Sequence, residues 1–266
     1  MKMVKKILLG TLAVAAVLSL ASCGKIEDDK DNIIKKNTPY TYSIDYSNNS
    51  GENKRAYEST SQNHAGALVK VTFDNGTNAT AGTSKMGVIF DLKESEGKTN
   101  FYIIGLAGNN NVPNLYVSKL ENIVDIQAEN FGATTTAAAG KPKETELLPL
   151  ATANNVTLPV NSSDGSVSVY VYFKAIYNTG SYKWAILNLT QAQADAINID
   201  TWTIADAPAN SVLKQGEITG AFTAVTNENS VPQNKHAVYA RVAPNKTLKG
   251  SWNYAKTYKE AEEIEE

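Results

Sequence analysis

One cysteine and two histidines are all that this 266-residue chain holds of the softer metal ligands. A lone Cys cannot close an internal disulfide or supply a C-x-x-C clip. Two isolated imidazoles, His64 and His236, leave little from which to build a zinc or iron centre. There is no basic excess: 25 Lys and Arg stand against 27 Asp and Glu, a formal net charge of −2. That balance argues against a dedicated nucleic-acid binder. The chain has no G-x-S-x-G elbow, no P-loop and no G-x-G-x-x-G, so neither a serine-hydrolase site nor a nucleotide site is supported. No apolar run reaches the roughly 20 residues of a membrane-spanning helix. What is present is 42% hydrophobic residues, enough for a sizeable core.

The first 22 residues have the form of a secretory signal. Lys2, Lys5 and Lys6 form a positive start, and Ile7 to Leu20 is a short apolar stretch. It ends in Leu20-Ala21-Ser22-Cys23, which resembles the lipobox of bacterial lipoproteins. The resemblance implies cleavage before Cys23 and acylation of its thiol. Two or more acyl chains hold a protein at a membrane stably where one does not. Without Lys2, Lys5 and Lys6 the chain carries 22 basic and 27 acidic side chains, net −5, so the lipid and not the surface is expected to bind the membrane. Residues 23–38 are polar and charged and read as a flexible tether. Gly24 and Lys25 follow Cys23, so the Asp that marks inner-membrane retention in enteric bacteria is absent. The expected location is therefore the cell envelope, at the outer membrane or cell surface.

From residue 39 to 254 the texture is β. Strands are expected at Tyr40–Tyr46, Ala67–Phe73, Met86–Leu92, Phe101–Leu106, Asn114–Lys119, Ile123–Ala128, Val156–Val160, Ser166–Ala175, Tyr182–Leu189, Ile218–Val225, Ala237–Val242 and Leu248–Tyr254. Met86–Leu92 and Phe101–Leu106 are dense enough to be buried on both faces. Ser95-Glu-Gly-Lys98 and Asn178-Thr-Gly-Ser181 suit hairpin turns. Gly132–Asn154 reads as a long surface loop. Thr190-Gln-Ala-Gln193 is a capping box opening one short helix that ends near Ile197; Thr257-Tyr-Lys-Glu260 is a second, opening an acidic C-terminal helix or tail over 255–266. The expectation is an all-β antiparallel sandwich with one short internal helix and a C-terminal helical tail.

The order Ala67–Phe73, Lys85-Met-Gly-Val-Ile-Phe90, Asn100-Phe-Tyr-Ile-Ile-Gly105, a strand pair with Trp184, then Gly250-Ser-Trp252 resembles a concanavalin-like, laminin-G-like jelly roll. The resemblance implies binding of carbohydrate or protein surfaces, although the same fold hosts enzymes.

Catalytic chemistry finds little footing. His64 and His236 read as solvated surface residues, and Cys23 is committed to lipid. Jelly-roll glycosidases place carboxylates on one strand at alternate positions. Asp91 with Glu94 and Glu96 comes nearest, but reads as a solvated hairpin tip. No cofactor is expected. Asp74-Asn75 and Asn161-Ser-Ser-Asp164 offer oxygen ligands suited to Ca²⁺, and turn formation explains both without a metal. Thirteen Tyr and three Trp supply flat rings with a polar end, suited to sugar stacking or protein contacts. The candidates for ligand binding are Tyr102, Tyr116, Trp184, Trp202 and Trp252, with Tyr170, Tyr172 and Tyr177 behind them; for any one of them, core or sheet packing is the favoured reading. The leading expectation is a non-catalytic, lipid-anchored sandwich that binds a glycan or a host or envelope protein, with no nucleic-acid partner. A carbohydrate-active hydrolase and a self-packing surface component are the alternatives.

Overall fold

The computed structural model describes residues 34–38, 40–74, 84–109, 112–126, 140–148 and 156–260. The expected signal segment, Cys23, the first part of the expected tether and residues 261–266 lie outside them. Among the described residues thirteen strands are formed: β1 (Ile34–Thr38), β2 (Thr41–Asn48), β3 (Lys54–His64), β4 (Gly66–Phe73), β5 (Lys85–Ser95), β6 (Lys98–Asn109), β7 (Val112–Ile123), β8 (Lys143–Leu148), β9 (Val167–Ile176), β10 (Ser181–Leu187), β11 (Val212–Ile218), β12 (Asn234–Val242) and β13 (Lys246–Tyr258). They build two antiparallel sheets, ordered β1-β2-β13-β4-β9-β10-β11 and β3-β12-β5-β6-β7-β8. The protein is an all-β sandwich. From β2 to β5 the chain changes sheet at every step, so its contacts are mostly between distant residues.

Between the sheets lies the main core. Phe90 of β5 stacks on Phe173 of β9 at 4.9 Å and meets Tyr182 of β10 edge-on. Trp252 of β13 is fully buried, and its Nε1 donates to the Gly87 carbonyl of the opposite sheet at 3.0 Å. A second apolar layer occupies the other face of the six-stranded sheet, with Ile89, Phe101, Ile103, Tyr116, Leu120 and Tyr239. Strands β5 and β6 are therefore buried on both faces, as their unbroken apolar runs imply. In this second layer Lys85 and Glu144 form a buried ion pair at 3.2 Å. Tyr116 donates to the same carboxylate at 2.5 Å and lies under the Lys85 ammonium, 4.1 Å from its ring centre. Burial pushes the Lys85 ammonium down, opposed by Glu144, and pushes the Tyr116 hydroxyl well up.

Local chemistry accounts for the turns. The β5–β6 hairpin puts Glu96 at φ 54° and Gly97 at φ 70°, the left-handed pair that a two-residue turn needs. The Thr190 capping box is made in full and opens helix α1 (Gln191–Asp195).

Several expectations are corrected. The tether does not extend to residue 38: Ile34 is buried, and β1 pairs with β2. Residues 255–258 continue β13 against β4 and are not helical: past a bulge between Tyr254 and Lys256, Tyr258 pairs with Gly66 and buries its ring against Lys174 on the outer face of the seven-stranded sheet. The Thr257–Glu260 contact exists, at 3.0 Å, but closes a strand end whose next residue, Lys259, has φ 52°. Lys143–Leu148, placed in a surface loop by its polarity, is strand β8 on β7. Val156–Val160 makes only a single bridge, Val160 to Val167. The strand expected at Ile218–Val225 lies upstream, at Val212–Ile218.

Candidate functional site

Of the five aromatic residues singled out, three are inside. Trp252 and Tyr116 have essentially no exposed surface, and Trp184 is 8% exposed on the inner face beside Phe173. A Cβ on Gly216 would come within 2.6 Å of the Trp184 ring, so that indole is wedged against the backbone of β11. Trp252 and Trp184 pack between the sheets and Tyr116 in the second layer, and none of the three offers a face to a ligand. Trp202 and Tyr102 are half-buried, and each lines a different cleft.

Trp202 overhangs a groove of about 580 Å³ on the outer face of the seven-stranded sheet. Its ring meets Tyr172 of β9 edge-on, 4.9 Å between centres. Ile176, Ile204 and Val212 complete the apolar floor, while Lys183, Gln215 and Glu217 stand exposed at the edge. Lys183 and Glu217 are direct cross-strand neighbours. The segment that carries Trp202 is pinned from below. Lys174 of β9 donates to the carbonyls of Ile199 and Asp200, both at 2.8 Å, and sits 4.2 Å from the Tyr258 ring centre. Burial lowers the Lys174 pKa, with Asp200 and Glu228 opposing. The Trp202 N–H donates to Asn198 at 2.8 Å, and Asp206 accepts from both the backbone and the hydroxyl of Thr203. An aromatic edge is thus held over a sheet by the charge-assisted bonds of Lys174 beneath it and by exposed bonds of Asp206 to Thr203.

The second cleft, about 420 Å³, opens at the mouth between the sheets. Two adjacent bulges shape it. One lies in β5 between Phe90 and Lys93, with Asp91 at φ 52°; the other lies in β7 opposite Asn100, with Asn122 at φ 58°. Bulges re-aim side chains and are frequent beside functional sites. Here they bring Asp91, Lys93, Tyr102, Lys119 and Glu121 to one cleft, closed by Thr219–Ala221, the turn that follows β11. Asp91 Oδ2 pairs with Lys93 at 3.2 Å, and Glu121 pairs with Lys119 at 2.7 Å. Lys93 also donates to the Ala221 carbonyl. Burial raises the Asp91 carboxyl to about 6, against the pull of Lys93 and Lys119. Asp91 is therefore not part of a solvated hairpin tip; Glu94 and Glu96 are.

Both histidines are fully buried, contrary to the expectation of solvated residues. Alternation explains His236, which shares its face of β12 with the core residues Val238, Ala240 and Val242. That spacing was open to reading in the sequence. The rings of His64 and His236 lie 4.2 Å apart, bounded by Tyr254 and Phe173. His236 Nε2 is 2.6 Å from the His64 carbonyl, which fixes its proton there. Desolvation lowers the His64 pKa to about 2 and the His236 pKa to about 4, so both rings are neutral core groups.

Among the described residues, no group of three or more His, Cys, Asp or Glu is placed to hold a metal ion. Asn161 and Asp164 accept from the backbone N–H groups of Ser163 and Ser166, forming turns; Asn75 lies outside the described residues. No protein-family model and no curated protein matches the sequence.

Proposed function

We propose that the protein is a lipid-anchored envelope protein that displays a non-catalytic β-sandwich for ligand binding, with the Trp202 groove as its glycan-contacting surface. The observation that carries this is the half-buried Trp202 held edge-on to Tyr172 over an apolar floor, with Lys183, Gln215 and Glu217 at the rim. Sugars have one apolar face and a hydroxylated edge, which such a surface matches. The two-sheet architecture supports the resemblance to concanavalin-like domains, which supply the class of ligand. A hydrolase reading is supported less far: Asp91 and Glu121 share a cleft, but each carboxylate already holds a lysine.

The full chain in detergent, applied to a glycan array, should retain at least one glycan and lose it on Trp202→Ala. Retention of nothing removes the lectin reading. The anchor rests on the Leu20–Cys23 motif and has its own test: Cys23→Ala should lose acyl labelling and membrane retention, and continued membrane binding would show the anchor to be elsewhere.

A further inference from the structure

We propose that the Trp202 groove selects a neutral 2-acetamido sugar, with Val212 and Ile204 receiving the acetamido methyl and Gln215 pairing with its amide. This specificity rests on the glycan reading of that groove and names the class of sugar it takes.

Strand register sets the layout. Cross-strand partners share a face of a sheet. On the outer face Tyr172 of β9 lies opposite Ala185 of β10, and Ala185 lies opposite Gln215 of β11. Trp202 meets Tyr172 edge-on, so the indole stands at the row that ends in Gln215. A regular ladder would next set Leu213 opposite Leu187. Instead the register shifts between Ile186 and Leu187, and Val212 takes that place. Bulges re-aim side chains. This one brings Val212 to the groove, which it lines together with Ile204. In the other direction the next row is Lys183 opposite Glu217. From that row to the Val212 row the groove runs about 13 Å, at about 3.3 Å per residue. That is longer than one sugar ring, so a ring at Trp202 leaves room for a substituent beside it.

The order of these rows specifies the substituent. Trp202 takes the C–H face of a sugar ring. At the Val212 end the ligand must be apolar, because hydroxyls set against Val212 and Ile204 would lose water without gaining a partner. Between the indole and that end stands the exposed Gln215 amide, a group that both donates and accepts. An acetamido group has the same order: an amide next to the ring, then a methyl. A plain hexose lacks the methyl, and a 6-deoxy sugar carries a methyl with no amide before it. The exposed charges at the far end, Lys183 and Glu217, are of opposite sign, so the rim does not select an acidic sugar.

The test is an NMR titration of the full chain in detergent, read at the Trp202 indole N–H resonance, which is assigned by its loss in Trp202→Phe. The ligands are three pairs that differ only at carbon 2: N-acetylglucosamine and glucose, N-acetylgalactosamine and galactose, N-acetylmannosamine and mannose. Fucose supplies a methyl without an amide. Each is taken to about 50 mM, well beyond a weak millimolar constant. At least one acetamido sugar should shift the resonance and bind about tenfold more tightly than its hexose partner and than fucose, the scale of one added apolar contact. Gln215→Ala and Val212→Ala should each narrow that gap; Gln215 is exposed, so its variant keeps the fold. The proposal is overturned if a hexose or fucose binds as tightly as the best acetamido sugar, if both variants keep the full gap, or if no acetamido sugar shifts the resonance. In each of these cases a glycan held on the array through Trp202 leaves the glycan reading standing, whereas an array that retains nothing removes both.

Discussion

Acid should unfold this protein earlier than its carboxylates alone would dictate, because its two histidines are buried as neutral rings in contact. An unfolded histidine titrates near 6.5. In the fold, His236 is held down to about 4 and His64 to about 2. Below pH 6.5 the unfolded chain therefore binds protons that the folded chain refuses, and stability falls with pH. At pH 5 this amounts to about 2 kcal/mol for each ring, roughly 4 kcal/mol together. Asp91 acts in the opposite sense. Its carboxyl is raised to about 6, so the folded state takes up a proton that the unfolded state refuses until nearer pH 4. By pH 5 that returns about 1 kcal/mol. The net loss between pH 7 and pH 5 is about 2–3 kcal/mol, a large part of the usual margin of 5–15 kcal/mol. Urea unfolding at pH 7, 6 and 5, followed by tryptophan fluorescence, measures it as a fall in midpoint at constant slope. Asp91→Asn should steepen the fall to about 4 kcal/mol by removing the opposing contribution. A midpoint that is flat or rises between pH 7 and pH 5 would refute the reasoning, as would an imidazole resonance titrating near 6.5 in the folded protein.

Three substitutions test the packing. Trp252→Phe leaves a cavity and removes the donor to the Gly87 carbonyl, and should cost about 2–4 kcal/mol in chemical unfolding. Gly105→Ala would place a Cβ 2.1 Å from the Met86 carbonyl oxygen and 2.5 Å from the Gly87 Cα, both backbone atoms. It should cost about 3 kcal/mol or prevent folding, and a thermal midpoint equal to the parent's would contradict the close approach of β5 and β6. Glu144→Leu removes the partner of the buried Lys85 ammonium and should cost about 3–5 kcal/mol, while Lys85→Met with Glu144→Leu should recover much of it. A double-mutant cycle with no coupling would show the pair to be energetically inert.

The strands that were legible in the sequence are the inner ones. Lys85-Met-Gly-Val-Ile-Phe90 and Val167-Ser-Val-Tyr-Val-Tyr-Phe173 are apolar because neighbours flank them on both sides. The strands passed over are the four sheet edges: β1 with Lys35 and Lys36, β3 with Lys54, Arg55 and Glu58, β8 with Lys143, Glu144 and Glu146, and β11 with Lys214 and Glu217. Edge strands carry charge to resist pairing with other chains, and that charge hides them from a hydrophobic pattern. The clefts were half legible. Trp202 and Tyr102 stood out as aromatics, but whether Trp252 or Trp202 faces outward depends on strand parity and on a loop between α1 and β11. Asp91 depends on a bulge that no residue pattern announces, since Asp tolerates a left-handed backbone without requiring one. The burial of His236 was readable from alternation with Val238, Ala240 and Val242.

The three tryptophans make the central claim directly measurable. Trp252 and Trp184 are enclosed in the core, whereas Trp202 lies at the groove, so a ligand stacking there changes the emission of Trp202 alone. A glycan retained by the full chain should produce a saturable change in tryptophan fluorescence that Trp202→Phe abolishes without altering the unfolding midpoint. A saturable change of the same size in Trp202→Phe would place the ligand elsewhere and contradict the account.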